Sequence, residues 1–350
     1  MDSVPDPTSP TPAIDLPGAA AVTVVIVTYG ERRALLRQVL DALPAQGVGK
    51  VVLVDNGARW PVKAELAAAF GDWLDVVEMG RNTGSAPGFA AGIQRALDLG
   101  AEYLWLLDDD NRPEPGCLSA LLHAYAGLRE RHPPDLLAVL AFRPEHQADV
   151  AVGVPLRYIN PRRNGFYGFH VLDIPFKFWR RTPWGRPRAR GTLPALVNLC
   201  VAPYSGLLFH RTVVDRFGLP RADFVLYVDD TEITHRLTSS GGRIALVTAA
   251  AIRDMESSWN VRQNRGTSFG QLLHHGSDFR IYYATRNRAF FDVFCQKNNR
   301  IALAFNRSVF LSILCVLAFL TGAQPRMRLV RQAVHDGERG FLGLNPQFPL

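Results

Sequence analysis

Cysteine is scarce in this 350-residue chain: Cys117, Cys200, Cys295 and Cys315 lie far apart, with no C-x-x-C pair. That spacing gives no disulfide framework and reads as reduced thiols in a cytosolic protein. The chain also lacks the basic start and apolar core of an export signal. Residues 1–20, rich in Pro, Ala, Thr and Asp, read instead as a disordered tail. Val309 to Leu320 is strongly apolar, but it falls short of the roughly 20 residues a membrane span needs. Acids are in deficit, 32 against 39 lysines and arginines, giving a net charge of +7 and a pI of about 9.5. Such a balance favours anionic partners, either phosphorylated metabolites or acidic lipid headgroups. Zinc-finger spacing and aromatic-interleaved basic repeats are both missing, so nucleic acid is not an expected partner.

What is present is a long alternation of apolar strands and helical spacings. Ala21 to Thr28 (AVTVVIVT) is unbroken and β-branched, as expected of a central parallel strand. Glu31 to Leu43 then carries apolar residues at helical spacing. Val51 to Val54 reads as a second strand ending in Asp55-Asn56-Gly57, Ala64 to Phe70 as a helix, and Leu74 to Met79 as a third strand. A loop, Arg81-Asn82-Thr83-Gly84-Ser85-Ala86-Pro87-Gly88, opens a helix from Phe89 to Leu99, and Tyr103 to Leu107 is the next buried strand. Short connections make the expected fold class α/β, with a mostly parallel, twisted sheet flanked by helices. Ligands of such sheets sit beyond the carboxyl ends of the strands. Thr28-Tyr29-Gly30, Asp55-Asn56, the Gly84 loop and Asp108 to Asp110 all fall at that edge. With 47% hydrophobic residues the chain supports one large domain, residues 21–255, and a helical extension, residues 256–350.

Two acidic stretches carry the chemistry. Asp108-Asp109-Asp110 follows a buried strand, and adjacent acids repel unless something positive compensates. In extended backbone Asp108 and Asp110 point the same way, a pair that can grip Mg²⁺ or Mn²⁺; a solvated turn is the plainer alternative. Asp229-Asp230, ahead of helical spacing at Ile233 and Leu237, fits a helix N-terminal cap or a general base. Asp254 lies shortly past a closing strand, Ile244 to Val247. Residues 136–200, broken by prolines and with a basic block from Lys177 to Arg190, form an irregular insertion, either an acceptor lid or solvated loop. Arg280 to Arg288 (RIYYATRNR) is either a phosphate clamp or a solvated basic face. Val309 to Leu320, flanked by arginines, reads as an interfacial helix on anionic lipid, with packing on the main domain as the alternative.

In order, VTVVIVTYGERRALLRQVLDAL, VVLVDNG, RNTGSAPGFAAGIQRAL, YLWLLDDDNRPEPG and FVLYVDDTEITHRLTSSGGRIALV resemble a GT-A-fold glycosyltransferase of the inverting family 2. The triple acid, DDTE and YYATRNR most resemble bacterial galactofuranosyltransferases and related rhamnosyltransferases of cell-envelope polysaccharides. The resemblance implies that Thr28 and Asp55 hold the base and ribose of a UDP- or dTDP-sugar, with Tyr29 and Asp109 beside them. Asn82 and Gly84 would line the diphosphate side, and Arg236 would supply a cation. Asp108 and Asp110 would take the DXD position around Mn²⁺ or Mg²⁺. Asp230 would be the catalytic base, paired with Asp229. Relatives often place a metal-binding His after the closing strand; here the comparable residue is Asp254, which could also ligate the Mg²⁺ or Mn²⁺ while adding negative charge. Pro87 likewise stands where relatives carry Gly. The implied acceptor is lipid-linked or a glycan, met on the inner face of the cytoplasmic membrane. A nucleotidyltransferase would need a basic Gly-rich signature after the first strand, which Thr28-Tyr29-Gly30-Glu31 does not supply. A non-catalytic scaffold is disfavoured because both acidic pairs are intact.

Overall fold

A strand buried along its whole length must be covered on both faces, and β1 (Val22–Gly30) is buried over its first seven residues. The computed structural model describes residues 18–185, 192–256 and 268–350. The expected tail and the end of the basic block therefore lie largely outside the described residues. After β1 come α1 (Arg33–Ala42), β2 (Lys50–Ala58), α2 (Val62–Phe70), β3 (Leu74–Glu78), α3 (Ser85–Asp98) and β4 (Tyr103–Asp108). Then follow β5 (Asn111–Pro113), α4 (Cys117–Arg129) and β6 (Leu137–Phe142). Alternate residues of β1 serve different cores: Val24 and Ile26 pack with α1 and α4, and Val25 and Val27 with α3. Gly92 lets α3 approach this closely, since a Cβ there would meet Val25 and Val54 side chains at 2.6 and 2.8 Å.

The expected insertion gives both its ends to the sheet. β6 and β7 (Leu196–Leu199) bound it, with short helices α5 (Ala148–Ala151), α6 (Leu156–Ile159) and α7 (Ile174–Trp179) between them. β8 (Leu207–His210), α8 (Thr212–Phe217), α9 (Asp229–Ser239) and β9 (Arg243–Asp254) complete the α/β part. The strands lie in the order β3-β2-β1-β4-β8-β6-β9-β5, with β7 also on β9. β1 to β4 are mutually parallel; β8 is antiparallel to both β4 and β6; β9 is parallel to β6. Six strands therefore run one way and β5, β7 and β8 the other. The expected mostly parallel sheet is observed, and its mixed half brings in β5 and β9.

The C-terminal extension is helical, as expected: α10 (Ser268–His274), α11 (Asp278–Phe294), α12 (Arg300–Leu320) and α13 (Gln324–Glu338). α12 is longer than its apolar run suggested, because Arg300 to Ser308 join the same helix. By length and composition it is long and apolar enough to cross a membrane, with a mean hydropathy of 2.0. One face, Leu303, Phe310, Leu314 and Ala318, packs into a core shared with α11 and α13.

Candidate active site

Parallel strands end together, and the register sets which side chains meet there. Asp108 pairs with Val27 across β4 and β1, and Asp55 with Thr28 across β2 and β1. The three consecutive acids then diverge. Asp108 accepts a short hydrogen bond from the Ser205 hydroxyl. Asp109 turns inward, 3% exposed, where the Thr28 hydroxyl and Arg32 Nε each donate to it at 2.7 Å. Asp110 meets Arg32 at 2.9 Å and Asn111 at 3.2 Å. The positive charge that three acids require is thus supplied in part by Arg32, a residue passed over in the sequence. Burial pushes the Asp109 carboxyl up to about 7, against the pull of Arg32. Burial and then Asp108 push Asp110 up to about 6.

β5 and β9 bring the next acid. Asn111 lies opposite Asp254, and its fully buried amide donates to Asp254 Oδ1 at 2.9 Å. Arg143, at the end of β6, grips the same oxygen through two nitrogens at 2.9 and 2.6 Å, while His146 lies 3.3 Å from Oδ2. Asp254 therefore enters the cluster already neutralised by a guanidinium.

Asp229 and Asp230 open α9, where the free amides and dipole of a helix start favour negative charge. Burial, then Asp230, pushes Asp229 up to about 8; burial, opposed by Thr231 hydrogen bonds and aided by Asp108, lifts Asp230 to about 6. The buried Tyr204 hydroxyl and Asp229 Oδ2 both lack a hydrogen-bond partner among the described residues, and the Ser85 hydroxyl lies 3.5 Å from Asp229 Oδ1. Asp230 remains half-buried and reaches the cleft. Ser85 begins α3, so two helix N-termini converge here. Pro87 sits in the first turn of α3, where a missing amide leaves no hydrogen bond unmade. The Gly84 loop is held by Asn56, whose side chain meets Gly84 O at 2.9 Å and Thr83 N at 2.9 Å. Asn82 and Asp55 stand at its rim, Asn82 exposed and Asp55 partly so.

Three expected roles are corrected. Thr28 is fully buried and gives its hydroxyl to Asp109, so neither side chain is turned to a nucleotide. Arg236 faces away, because six residues along a helix from Asp230 is about 240° around its axis. Its guanidinium binds Glu232 and the carbonyls of Phe217 and Leu219. The RIYYATRNR segment is no phosphate clamp either: Arg286 and Asn287 are buried and bind backbone carbonyls, and Arg288 pairs with Asp292.

The oxygen-rich donor set suits a hard cation. Seven acids, Asp108, Asp109, Asp110, Asp229, Asp230, Asp254 and Glu256, meet two guanidinium groups, Arg32 and Arg143, and even with Asp229 protonated that surplus suits Mg²⁺ or Mn²⁺. Among the described residues no three His, Cys, Asp or Glu side chains are already gathered around one point.

Residues 23–130 match the model of glycosyl transferase family 2. This stretch is similar to a family 2 domain. That match covers β1 to α4 and includes the triple acid, and the expected mostly parallel α/β sheet is the one observed. Galactofuranosyltransferase GlfT1 of Mycolicibacterium smegmatis is 31% identical over 226 residues, 63% of this chain and 66% of that protein. The protein of the same name from Mycobacterium tuberculosis is 29% identical over 229 residues, with the same coverage. The match thus spans just under two thirds of these relatives' length. Among solved structures, Staphylococcus aureus TarS 1–349 in complex with UDP-GlcNAc is 13% identical, at a TM-score of 0.48 over 90% of this chain and 81% of that one. GalNAc-T7 with UDP, GalNAc and Mn²⁺ is 15% identical, at 0.46 over 69% and 44%.

Proposed function

We propose that this protein is a family 2 glycosyltransferase. It transfers a sugar from a nucleotide-sugar donor, UDP-galactofuranose being the first candidate, to a lipid-linked or glycan acceptor of the cell envelope. The observation that carries the proposal is that Asp108, at the end of a parallel strand, lies within electrostatic reach of Asp110 on one side and of Asp229 and Asp230 on the other. The choice of galactofuranose rests on the names of the two relatives.

In this reading Asp55, Tyr29, Asn82 and Gly84 line the donor, with the α3 N-terminus on the diphosphate side. Asp108 and Asp110 hold a divalent cation, and Asp254, fixed by Arg143 and Asn111, completes the acidic wall. When bound, the cation supplies Lewis-acid neutralisation of the charge that develops on the leaving diphosphate. Asp230 removes the acceptor hydroxyl proton while that oxygen forms the new bond to the anomeric carbon. The bond to the diphosphate breaks on the opposite face, so configuration inverts in a single displacement. Asp229, raised to about 8, stays protonated near neutral pH, so the pair carries one negative charge and Asp230 is the ionised member. The protein works at the cytoplasmic face of a membrane, with the exposed side of α12 against anionic lipid.

Thermal unfolding tests the donor site. UDP and dTDP are compared in Mn²⁺, Mg²⁺ or chelator; a ligand at about 100 times its Kd adds about 2.7 kcal/mol to the folded state. The expected result is a metal-dependent rise with one nucleotide class that Asp110→Ala abolishes. An equal rise in chelator, or in Asp110→Ala, would remove Asp110 from metal binding, and no rise with any nucleotide in metal would count against the whole proposal.

A further inference from the structure

The backbone leading into Asp229 is strained. Val225, Tyr227 and Val228 have φ of 65°, 69° and 68°, a region that side-chain-bearing residues rarely enter. Val225, with ψ of −63°, is the centre of a γ-turn closed by the Leu226 amide on the Phe224 carbonyl at 2.7 Å. Turns of that sign are rare, and a β-branched residue is a poor occupant. Such conformations persist where the surroundings over-determine them, and they cluster at functional sites.

The surroundings come from far along the chain. Asn287, fully buried on α11, places its side-chain nitrogen within 2.8 Å of the Phe224 carbonyl, 2.8 Å of Leu226 and 2.9 Å of Tyr227. An amide group has two hydrogens, so three carbonyls converge on two donors. Arg286, 1% exposed, donates to Asn287 Oδ1 at 2.9 Å and to the carbonyls of Phe224 and Gly343 at 3.0 and 2.5 Å. It also donates to the Asp223 carbonyl at 3.4 Å and lies against the rings of Tyr282 and Tyr283; among the described residues no carboxylate accepts a hydrogen bond from it. A buried cation is costly unless its hydrogen bonds are complete. On the opposite side the loop presses against the start of α3: the Ala86 amide donates to Val225 O at 3.2 Å.

We infer that Arg286 and Asn287 are positioning residues for the transfer reaction. They fix the backbone of residues 223–228, and through it the aim of the Asp229 and Asp230 carboxylates into the cleft. The C-terminal extension is then part of the catalytic machinery rather than an appendage. The inference rests on Asp230 being the base. It accounts for a buried arginine and asparagine bound to carbonyls instead of to substrate.

The test uses the full chain carrying Asn287→Ala, Arg286→Lys or, in parallel, Asp230→Asn. Turnover is read as UDP release from UDP-galactofuranose, donor-site integrity as the UDP-induced thermal shift, and loop order as hydrogen exchange over residues 223–239. Asn287→Ala should lower kcat by about 100-fold, the loss expected when a reacting group moves by about 1 Å. UDP binding should hold and exchange should quicken only around 223–230. The acid limb of the kcat profile should also move toward the ordinary carboxylate value of about 4, as Asp230 gains water. A purely structural role would leave that limb in place. If Asn287→Ala does not fold, Arg286→Lys, which keeps the charge but loses the fork, is judged by the same measurements. Turnover within about threefold of the parent, a difference of well under 1 kcal/mol, together with quickened exchange would overturn the inference. If Asp230→Asn keeps its turnover, the base assignment fails instead, whatever Asn287→Ala does.

Discussion

Single residues decide the charge state of the cleft. Asp229 is 2% exposed, and its carboxyl is raised to about 8 by burial and by Asp230. An unfolded aspartate titrates near about 3.9, so between these values the folded chain holds a proton that the unfolded chain has released. That contribution to stability is complete below the unfolded value and is lost as pH rises through the folded one. Asp229→Asn, which mimics the protonated form at all pH, should therefore melt at an increasingly higher temperature than the parent as pH rises from 5 to 8 in chelator. A constant difference across that range would show that Asp229 titrates normally. Asp230 answers to activity instead. As the proposed base its carboxyl, raised to about 6, would have to be ionised to act, so turnover should fall as pH drops below that value. Asp230→Asn should lower turnover by about 100-fold or more at every pH while preserving nucleotide binding, checked by UDP release and thermal shift side by side. The sequence offered both acids but not their partners. Arg32, Arg143 and Asn111 lie far from one another along the chain, and only the strand order brings them to Asp109, Asp110 and Asp254.

At the scale of elements, legibility followed locality. β1, β2, β4, α1 and α3 were readable because a strand buried on both faces is apolar throughout and a half-buried helix repeats every 3.6 residues. The orientation of Arg236 is legible too, because six residues of helix turn it about 240° from Asp230. What no local pattern announces is the loop from Phe224 to Val228. Its apolar residues look like a strand, yet three positive φ values are held by Asn287 and Arg286, 63 residues further along from Phe224 in the Asn287 contact. The RNR triplet for the same reason looked like a basic surface. Gly84 joins these elements. Its φ is 95°, and a Cβ there would sit 2.0 Å from Val225 O. Gly84→Ala should therefore destabilise the chain by about 2 kcal/mol or more and displace the α3 N-terminus from the strained loop. The expected readouts are a lowered melting temperature and loss of the UDP-induced shift. A variant that keeps both would mean that the loop and helix move apart freely.

For the whole molecule the decisive feature is where charge and apolar surface coincide. Residues 297–335 contain no acid, and neither do residues 174–214, although both are rich in lysine and arginine. The first stretch holds α12, whose outward face exposes Ile301, Phe305, Val316, Phe319 and Leu320. The second follows Leu172 and carries Phe178, Trp179 and Trp184, the last 86% exposed. The two stretches adjoin, since the Val171 amide donates to Asn306 on α12 at 2.9 Å. Arg180, Arg307 and Arg326 are paired with Asp149, Glu338 and Asp278, but the net excess of cations beside apolar and aromatic side chains still matches a bilayer whose surface is anionic, where each lysine or arginine near the surface adds about 1 kcal/mol. A soluble core would not leave Phe319 and Leu320 beyond 70% exposed at the end of a helix whose other face is packed. The full chain should therefore sediment with vesicles containing phosphatidylserine or phosphatidylglycerol, weakly with neutral vesicles, and less as salt rises. Replacing Phe305, Val316 and Phe319 by serine should release it without altering the UDP-induced thermal shift, because these side chains point away from the packed face. Binding that ignores lipid charge would assign the surface to a hydrophobic protein partner, and unchanged binding of the triple variant would move the contact off α12. If both the proposed function and this prediction hold, the two halves of the chain are linked: α11 would steady the loop before Asp229 while α12 would face the lipid and hold the site close to an acceptor anchored there.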